Sequence, residues 1–169
     1  IYAKSGSIDK HMEGVRKQYD TPEKLEFYAQ VMGDGTANIH FGKWDNVDLE
    51  QDGAYGKASE QMTDYMFDLA VGLLSKERQG ASDLTYVDLG SGTGAAALRL
   101  TEKHSFIKQA ACLNLCDKQN ALAKKRAEEK GLSSRIRVET GTYEKVDGIF
   151  DDESFDLAFS QDAFVHAFS

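Results

Sequence analysis

The stretch from Val87 to Gly94, Val-Asp-Leu-Gly-Ser-Gly-Thr-Gly, restricts what this chain can fold into more than any other. It follows a run rich in aromatic and β-branched residues, which predicts a buried strand over 84–89, and precedes an alanine-rich segment that predicts a helix from Ala95. Glycine reaches backbone angles closed to other residues, and its missing side chain lets a ligand lie against the backbone at a helix N-terminus. The sequence therefore predicts a strand, a tight glycine loop and a helix that form a nucleotide site.

Two classes of cofactor fit such a loop. Gly90, Gly92 and Ala95 satisfy the loose dinucleotide pattern G-x-G-x-x-G/A, which is typical of an NAD-dependent dehydrogenase. Asp88 favours a different ligand, because a carboxylate before the loop repels a pyrophosphate and attracts an ammonium group. The pattern thus favours a cationic ligand such as S-adenosylmethionine. The structural alternative is an aspartate that only caps nearby amides.

The string hydrophobic-Asp-Leu-Gly-x-Gly-x-Gly resembles the first motif of the class I S-adenosylmethionine-dependent methyltransferases. The resemblance implies an α/β fold with a doubly wound Rossmann-like sheet, and S-adenosylmethionine as the cofactor, released as S-adenosylhomocysteine. The sequence predicts four strands, so we expect the first four parallel strands of such a sheet, with the C-terminal strands absent from this chain. The resemblance assigns five loop residues to the cofactor: Asp88, Gly90, Ser91, Gly92 and Gly94.

Three further strands follow the first helix, and their ends carry the next candidate residues. The run 111–115 predicts a strand with Asn114 at its end, where the family grips the ribose hydroxyls, usually with Asp or Glu. Asn114 followed by Gln119 resembles the methyltransferases that act on sarcosine and dimethylglycine. Without the resemblance, a strand-end cap and a solvated helix residue remain open for this pair.

A third predicted strand, 136–139, leads to Thr142 and Tyr143, which the resemblance places near the adenine. An ordinary turn with a half-buried tyrosine is the alternative reading of that pair.

The fourth predicted strand, 155–159, runs into Ser-Gln-Asp-Ala-Phe-Val-His. This string closely resembles the segment after the fourth strand in sarcosine and dimethylglycine methyltransferases, where it borders the methionine end of the cofactor and the acceptor. The resemblance assigns Gln161 to the cofactor, Asp162 to the substrate and His166 to catalysis. A helix cap for Asp162 and a core position for His166 are the structural alternatives.

Aromatic residues concentrate at the head of the chain, in 18–20, 27–28 and 39–44. We interpret residues 1–60 as a helical and aromatic lid segment and residues 61–169 as a partial S-adenosylmethionine-binding Rossmann-like domain. Aromatic faces stabilise sulfonium and quaternary ammonium cations, although the same residues also pack ordinary cores. Four residues are expected near the transferred methyl group, Tyr19 and His40 as catalytic residues and Tyr28 and Trp44 as substrate contacts.

Net charge and composition limit the classes of molecule that this chain is expected to bind. The formal charge of −8 and pI near 5.0 argue against nucleic acid and anionic membranes, so a small-molecule methyl acceptor is expected. No apolar run approaches the roughly 20 residues needed to span a bilayer. We expect a cytoplasmic protein, with organelle targeting left open because the chain opens without a methionine and is interpreted as a fragment. Oligomeric state is left open.

Several residues receive structural readings. Cys112 and Cys116 are expected to be buried thiols, and no metal site is predicted. Pro22 marks the start of a helix, and residues between Met62 and Leu74 recur at helical spacing, which predicts a helix with one apolar face on the sheet. A second helix is predicted over 118–130, and His11 and His104 are read as surface residues.

Taken together, the motifs predict an enzyme that transfers a methyl group from S-adenosylmethionine to the amine of glycine, sarcosine or dimethylglycine, towards betaine. The alternatives are an S- or O-methyltransferase acting on another small metabolite and a truncated, non-catalytic S-adenosylmethionine-binding module. In an in-line methyl transfer, most of the rate enhancement comes from holding the reacting atoms collinear. His40 and His166 are candidates to relay the acceptor's proton, because histidine titrates near working pH.

Overall fold

The structure is a computed structural model that describes residues 7–28, 30, 38–78 and 82–167. Five α-helices and four β-strands are formed in this part of the chain. The helices are α1 (Ile8–Tyr19), α2 (Pro22–Phe27), α3 (Ala54–Arg78), α4 (Ala95–Lys103) and α5 (Asp117–Glu129). The strands are β1 (Leu84–Leu89), β2 (Ile107–Asn114), β3 (Ile136–Thr140) and β4 (Leu157–Phe159), and a 3₁₀ helix covers Phe164–His166.

The four strands form one parallel sheet in the order β3-β2-β1-β4. The chain goes from β1 outward to β3 and then returns to pair β4 on the other side of β1, so the winding reverses beside β1. Ligands bind in open α/β sheets at this reversal, outside the carboxyl ends of the strands. The predicted α/β, Rossmann-like sheet of four parallel strands is confirmed.

Alternation along the strands divides the core into two layers. Leu84 and Tyr86 of β1 pack into the larger cluster, with Phe67 of α3 and side chains from α4 and α5. Val87 of β1 and Leu113 of β2 face the opposite layer. Both faces of the central strands are thus covered, as expected for parallel strands.

Helix boundaries follow local chemistry. The Thr21 side chain accepts from the Lys24 amide at the start of α2, and Pro22 occupies its first turn, as predicted. Helix α5 ends before Gly131, whose positive φ of 67° lets the Leu132 amide reach back to the Ala127 carbonyl at 2.7 Å.

Helix α3 is longer than the sequence predicts and is turned differently. It crosses the boundary drawn between residues 60 and 61, and its buried face carries Ser59, Thr63 and Phe67. The prediction of one apolar face on the sheet is wrong for Tyr65, Leu69 and Leu73, which are exposed. Helical spacing identifies an apolar stripe but not which stripe finds a packing partner.

Smaller differences concern strand lengths and two histidines. Strand β2 begins at Ile107, earlier than predicted, and β4 is only three residues long. The surface reading of His104 is wrong, because its side chain is largely buried, with ring centroids 5.5 Å from Phe67 and 5.0 Å from Phe106. Cys112 and Cys116 are free and buried, as expected. Within the described ranges, no helix is both long enough and apolar enough to cross a membrane.

Candidate active site

A cavity of about 230 Å³ opens at the carboxyl ends of β1, β2 and β3, with α1 and the segment after β4 as its other walls. The structure brings most of the predicted site residues together there. Those that line the cavity are Tyr19, Tyr28, His40, Asp88, Gly90, Ser91, Gly92, Asn114, Gln119, Thr142, Tyr143, Gln161, Asp162 and His166. Gly94 and Trp44 do not line it.

The glycine loop is a tight turn pressed between two neighbours. Gly90, Gly92 and Gly94 all have positive φ, between 54° and 80°, which favours glycine. The amides of Gly90 and Ser91 both donate to the Leu113 carbonyl, at 2.8 and 3.2 Å, and so tie the loop to β2. A Cβ at Gly90 would overlap Ala163, which follows β4. The loop therefore needs glycine for its backbone angles and for close packing.

Gly94 acts from outside the cavity. It begins α4 in the left-handed conformation, with φ of 75° and ψ of 16°, and a Cβ there would lie 3.0 Å from the Ala123 side chain of α5. The third glycine of the motif is therefore needed because the loop packs closely against α5.

Asp88 supplies the only strongly perturbed carboxyl group among the described cavity-lining residues. It is 3% exposed, at the end of β1, and no ion pair involves it in the described part of the chain. Burial raises its pKa to about 7, because the charged form loses hydration without gaining a partner. A cationic group placed beside Asp88 would stabilise the charged carboxylate and offset the hydration that it loses on burial.

Asn114 is held by two neighbouring amides. Its Nδ2 donates to Gln119 Oε1 at 3.0 Å and to Asn120 Oδ1 at 3.2 Å, and Asn120 Nδ2 in turn donates to the Asn114 carbonyl and to Thr140 Oγ1. Sequence reasoning missed Asn120. Because these bonds occupy the amide nitrogen, the Asn114 amide oxygen is the atom left to accept from a ligand hydroxyl.

Tyr19 and His166 meet across the cavity wall. The Tyr19 hydroxyl lies 2.8 Å from His166 Nε2, and the Tyr19 and Tyr28 rings stack with centroids 5.2 Å apart. His11, read from sequence as a surface residue, is half-buried, and its Nε2 lies 2.7 Å from the His166 carbonyl oxygen. These bonds fix α1 to the 3₁₀ helix after β4.

Asp162 links the same segment to the lid. It has a left-handed φ of 53°, and its Oδ2 accepts from the Phe41 amide at 3.1 Å. The 3₁₀ helix that follows has Ala163 as its N-cap, so Asp162 does not cap it. The left-handed backbone of Asp162 is strained for a residue other than glycine. It accompanies a hydrogen bond to Phe41, which lies 121 positions away in sequence.

His40 is buried, at 8% exposure, and burial lowers its pKa. Its Nε2 lies 3.2 Å from Thr63 Oγ1 and its Nδ1 lies 3.2 Å from Gln161 Nε2. Tyr55 and Ser59 donate to its backbone carbonyl. His40 is thus fixed on all sides in the cavity wall.

The loop after β3 closes the remaining side. Thr142 Oγ1 donates to Met12 Sδ at 3.2 Å, and the Tyr143 hydroxyl donates to the Ala163 carbonyl at 2.9 Å. Tyr143 also packs edge-on against Phe164, with centroids 5.0 Å apart. Both predicted residues therefore bridge the loop after β3 to other walls of the cavity.

Trp44 lies outside the cavity. Its ring packs edge-on against Tyr55, with centroids 6.0 Å apart, and 44% of the residue is exposed. The sequence expectation of a substrate contact at Trp44 does not match this position, because His40 is the last residue of this segment that lines the cavity.

Several cavity-lining residues gave no signal in the sequence, namely Met12, Val15, Leu25, Asn38, Leu122 and Arg126. Arg126 projects from α5 and donates to Thr93 Oγ1 in the glycine loop at 2.9 Å. Burial lowers its pKa. Within the described ranges, no group of three or more His, Cys, Asp or Glu residues is arranged to hold a metal ion.

Comparison with known proteins places this geometry in a family. A family model described as "Methyltransferase domain" matches residues 87–168. The sarcosine/dimethylglycine N-methyltransferase of Halorhodospira halochloris is 29% identical over 159 residues, covering 94% of this chain and 51% of that protein. These matches support a class I S-adenosylmethionine-dependent methyltransferase.

Solved structures agree with the methyltransferase fold. A Galdieria sulphuraria protein provisionally named sarcosine dimethylglycine methyltransferase is 30% identical, with a TM-score of 0.64, and the match covers 82% of this chain and 47% of that one. The [4+2]-cyclase SpnF is 25% identical, with a TM-score of 0.65 and coverage of 87% and 47%. This methyltransferase chain spans about half the length of the curated relatives it matches.

Proposed function

We propose that this chain binds S-adenosylmethionine and supports transfer of its methyl group to the amine of glycine, sarcosine or dimethylglycine, towards betaine. The observation that carries the proposal is the Asp88 carboxylate, buried beside a glycine loop without a cationic partner among the described residues. Names of the relatives support the acceptor class. A cyclase has a similar fold, and fold alone does not determine the reaction. The role of each residue is therefore inferred from the geometry of the cavity.

The donor half of the cavity fits a nucleoside that carries an ammonium group. Asp88 would hold the ammonium, and the Asn114 amide oxygen would accept from a ribose hydroxyl. The Ser91 hydroxyl is buried beside the Cys112 thiol, and Ser91 lines the cavity next to the glycines of the loop. Thr142 and Tyr143 would border the adenine, and the open space around Gly92 admits the ligand against the backbone.

The acceptor half is proposed to lie between the stacked Tyr19 and Tyr28 rings and the segment after β4. When bound, S-adenosylmethionine supplies an electrophilic methyl group, which the acceptor nitrogen takes as the carbon–sulfur bond breaks. Aromatic faces stabilise the positive charge that develops on the acceptor nitrogen. A lid closed over the acceptor would exclude water, and Tyr19 orients His166 through their 2.8 Å contact. His166 is placed to take the acceptor's proton.

Three broader statements belong to the same proposal. The part of residues 1–60 that precedes α3 acts as the lid, and α3 with the chain up to residue 169 acts as the donor-binding domain. Fixed contacts between α1 and the 3₁₀ helix support the lid. The charge of −8 supports a small-molecule partner rather than nucleic acid, and two free, buried thiols are consistent with the cytoplasm.

The direct test is a transfer assay with S-adenosylmethionine and a panel of acceptors, read by mass spectrometry. We expect methylated products from sarcosine or dimethylglycine and none from thiols, thioethers or sugar hydroxyls. Methylation of a thiol or hydroxyl acceptor instead would replace the amine proposal. Saturable donor binding with no transfer to any acceptor would identify a binding module.

A further inference from the structure

Three uncharged polar side chains from different elements form a closed ring behind the cavity wall. His40 Nε2 lies 3.2 Å from Thr63 Oγ1, which lies 3.0 Å from Gln161 Oε1, and Gln161 Nε2 lies 3.2 Å from His40 Nδ1. His40 and Gln161 line the cavity, whereas Thr63 is fully buried on α3 and does not. The ring therefore joins the lid, α3 and the segment after β4 at one point.

Proton counting shows that the Thr63 hydroxyl is essential to the ring. With the imidazole proton on Nε2, His40 donates to Thr63, Thr63 to Gln161, and Gln161 back to His40 Nδ1. With the proton on Nδ1 and the amide turned over, all three bonds run the other way, and Nδ1 also donates to the Phe41 carbonyl 3.1 Å away. In both directions Thr63 donates and accepts at once, which only a hydroxyl can do.

The ring changes the role expected of His40. Both ring nitrogens are engaged in either direction, so neither is directed at a substrate. The sequence expectation of a catalytic proton acceptor at His40 therefore gives way to a structural part in the wall. Gln161, by contrast, retains a second Nε2 hydrogen beyond the one the ring uses.

We propose that Thr63 is a positioning residue that holds the Gln161 amide and the His40 ring in the wall of the donor cavity. The free Nε2 hydrogen of Gln161 then donates to an oxygen of the bound donor. This inference rests on the proposed function for its ligand, but the ring itself can be tested without one.

The first arm uses the protein alone and the His40 ring N–H resonance at neutral pH. Thr63→Val keeps the shape but loses the hydroxyl that meets His40 Nε2. We expect this variant to remove the signal if the proton lies on Nε2, and to shift it if the proton lies on Nδ1, where the Phe41 carbonyl still accepts it. Thr63→Ser should retain the signal. The matched control is Thr101→Val on α4, another fully buried threonine, whose hydroxyl lies outside the ring. A signal whose position and solvent exchange rate are both unchanged in Thr63→Val would overturn the ring.

The second arm separates positioning from packing by a double-mutant cycle on affinity for S-adenosylhomocysteine. Thr63→Val and Gln161→Ala should each weaken binding about tenfold, because each disrupts the same buried bonds. The double variant should be no weaker than Gln161→Ala alone. Equal losses from Thr63→Val in both backgrounds would show a merely structural effect and overturn the inference.

The experiments distinguish failure of the proposed donor site from failure of the proposed role of Thr63. If the unmodified chain binds no nucleoside, the donor assignment is wrong, and the His40 signal alone decides whether Thr63 holds the ring. If the unmodified chain binds and Thr63→Val binds equally well, only the positioning role is wrong. Should Thr63→Val not fold, Gln161→Ala opens the ring from the cavity side and gives the same His40 readout.

Discussion

The donor side of the cavity and its lid side are built by different means. On the donor side, the turn comes from glycines with positive φ, and Asn114 is held by amides five and six positions away in sequence. On the lid side, the contacts span 98 positions between Thr63 and Gln161 and 147 between Tyr19 and His166. The donor side is thus specified locally, whereas the lid side exists only once the sheet has brought distant segments together.

The largest effect should come from the buried carboxylate at the centre of the donor side. Folding raises the pKa of Asp88 from 3.8 to about 7. The folded protein therefore holds this proton more tightly than the unfolded chain, and stability falls as pH rises from about 4 to about 7. We expect Asp88→Asn to raise the free energy of unfolding by up to about 4 kcal/mol at pH 8 and by little at pH 4.

Denaturant unfolding at the two pH values measures this difference. Asp151→Asn, on an exposed aspartate, is the control and should change stability little at either pH. A variant at Asp88 that is destabilised equally at both pH values would contradict the account of an uncompensated buried charge.

The next largest effect tests the backbone of the donor side. Gly90→Ala should lower the free energy of unfolding by about 3 kcal/mol, because strain at positive φ adds to overlap with Ala163. Gly53→Ala has nearly the same φ, 79°, with nothing within 4 Å of the new Cβ, and should cost only about 1 kcal/mol. Urea unfolding of the pair measures the difference, and equal losses would mean that packing against Ala163 contributes nothing.

These two sides also differ in how far sequence predicts them. The bounds of β1, the buried Asp88 and the turn at the glycine loop follow from local pattern and agree with the structure. The hydrogen bonds of Thr63 and Asn120 were not predicted. A polar residue within a helical pattern does not indicate which amide elsewhere in the chain its side chain will bind.

The face of α3 was also misjudged for a physical reason. Hydropathy ranks Leu69 and Leu73 above Ser59 and Thr63, yet the buried positions are those that form hydrogen bonds near His40. The four parallel strands, in contrast, agree with what the resemblance to the methyltransferase family predicts.

A smaller effect is expected on the lid side. Tyr19→Phe removes the hydroxyl that meets His166 Nε2 and should lower the rate of methyl transfer about tenfold, while nucleoside affinity stays within about twofold. Steady-state kinetics and calorimetry measure the two quantities separately. Tyr65→Phe, on an exposed tyrosine of α3, is the control. Loss of nucleoside affinity in Tyr19→Phe without loss of rate would place Tyr19 on the donor side instead.

The smallest effect is expected at Trp44. Its ring packs against Tyr55 outside the cavity, so Trp44→Phe should change the transfer rate by less than about twofold. A tenfold loss in the same assay would show that the lid closes further once ligands bind and that Trp44 then enters the acceptor site, as its sequence context suggested.

The central claim is that Asp88 and the glycine loop form a site for a nucleoside carrying an ammonium group, and calorimetric titration with S-adenosylhomocysteine tests it most directly. We predict saturable binding of S-adenosylhomocysteine, none of NAD, at least tenfold weaker binding in Asp88→Asn and unchanged binding in Asp151→Asn. Binding of NAD in preference to S-adenosylhomocysteine, or no effect of Asp88→Asn in a folded protein, would contradict the account.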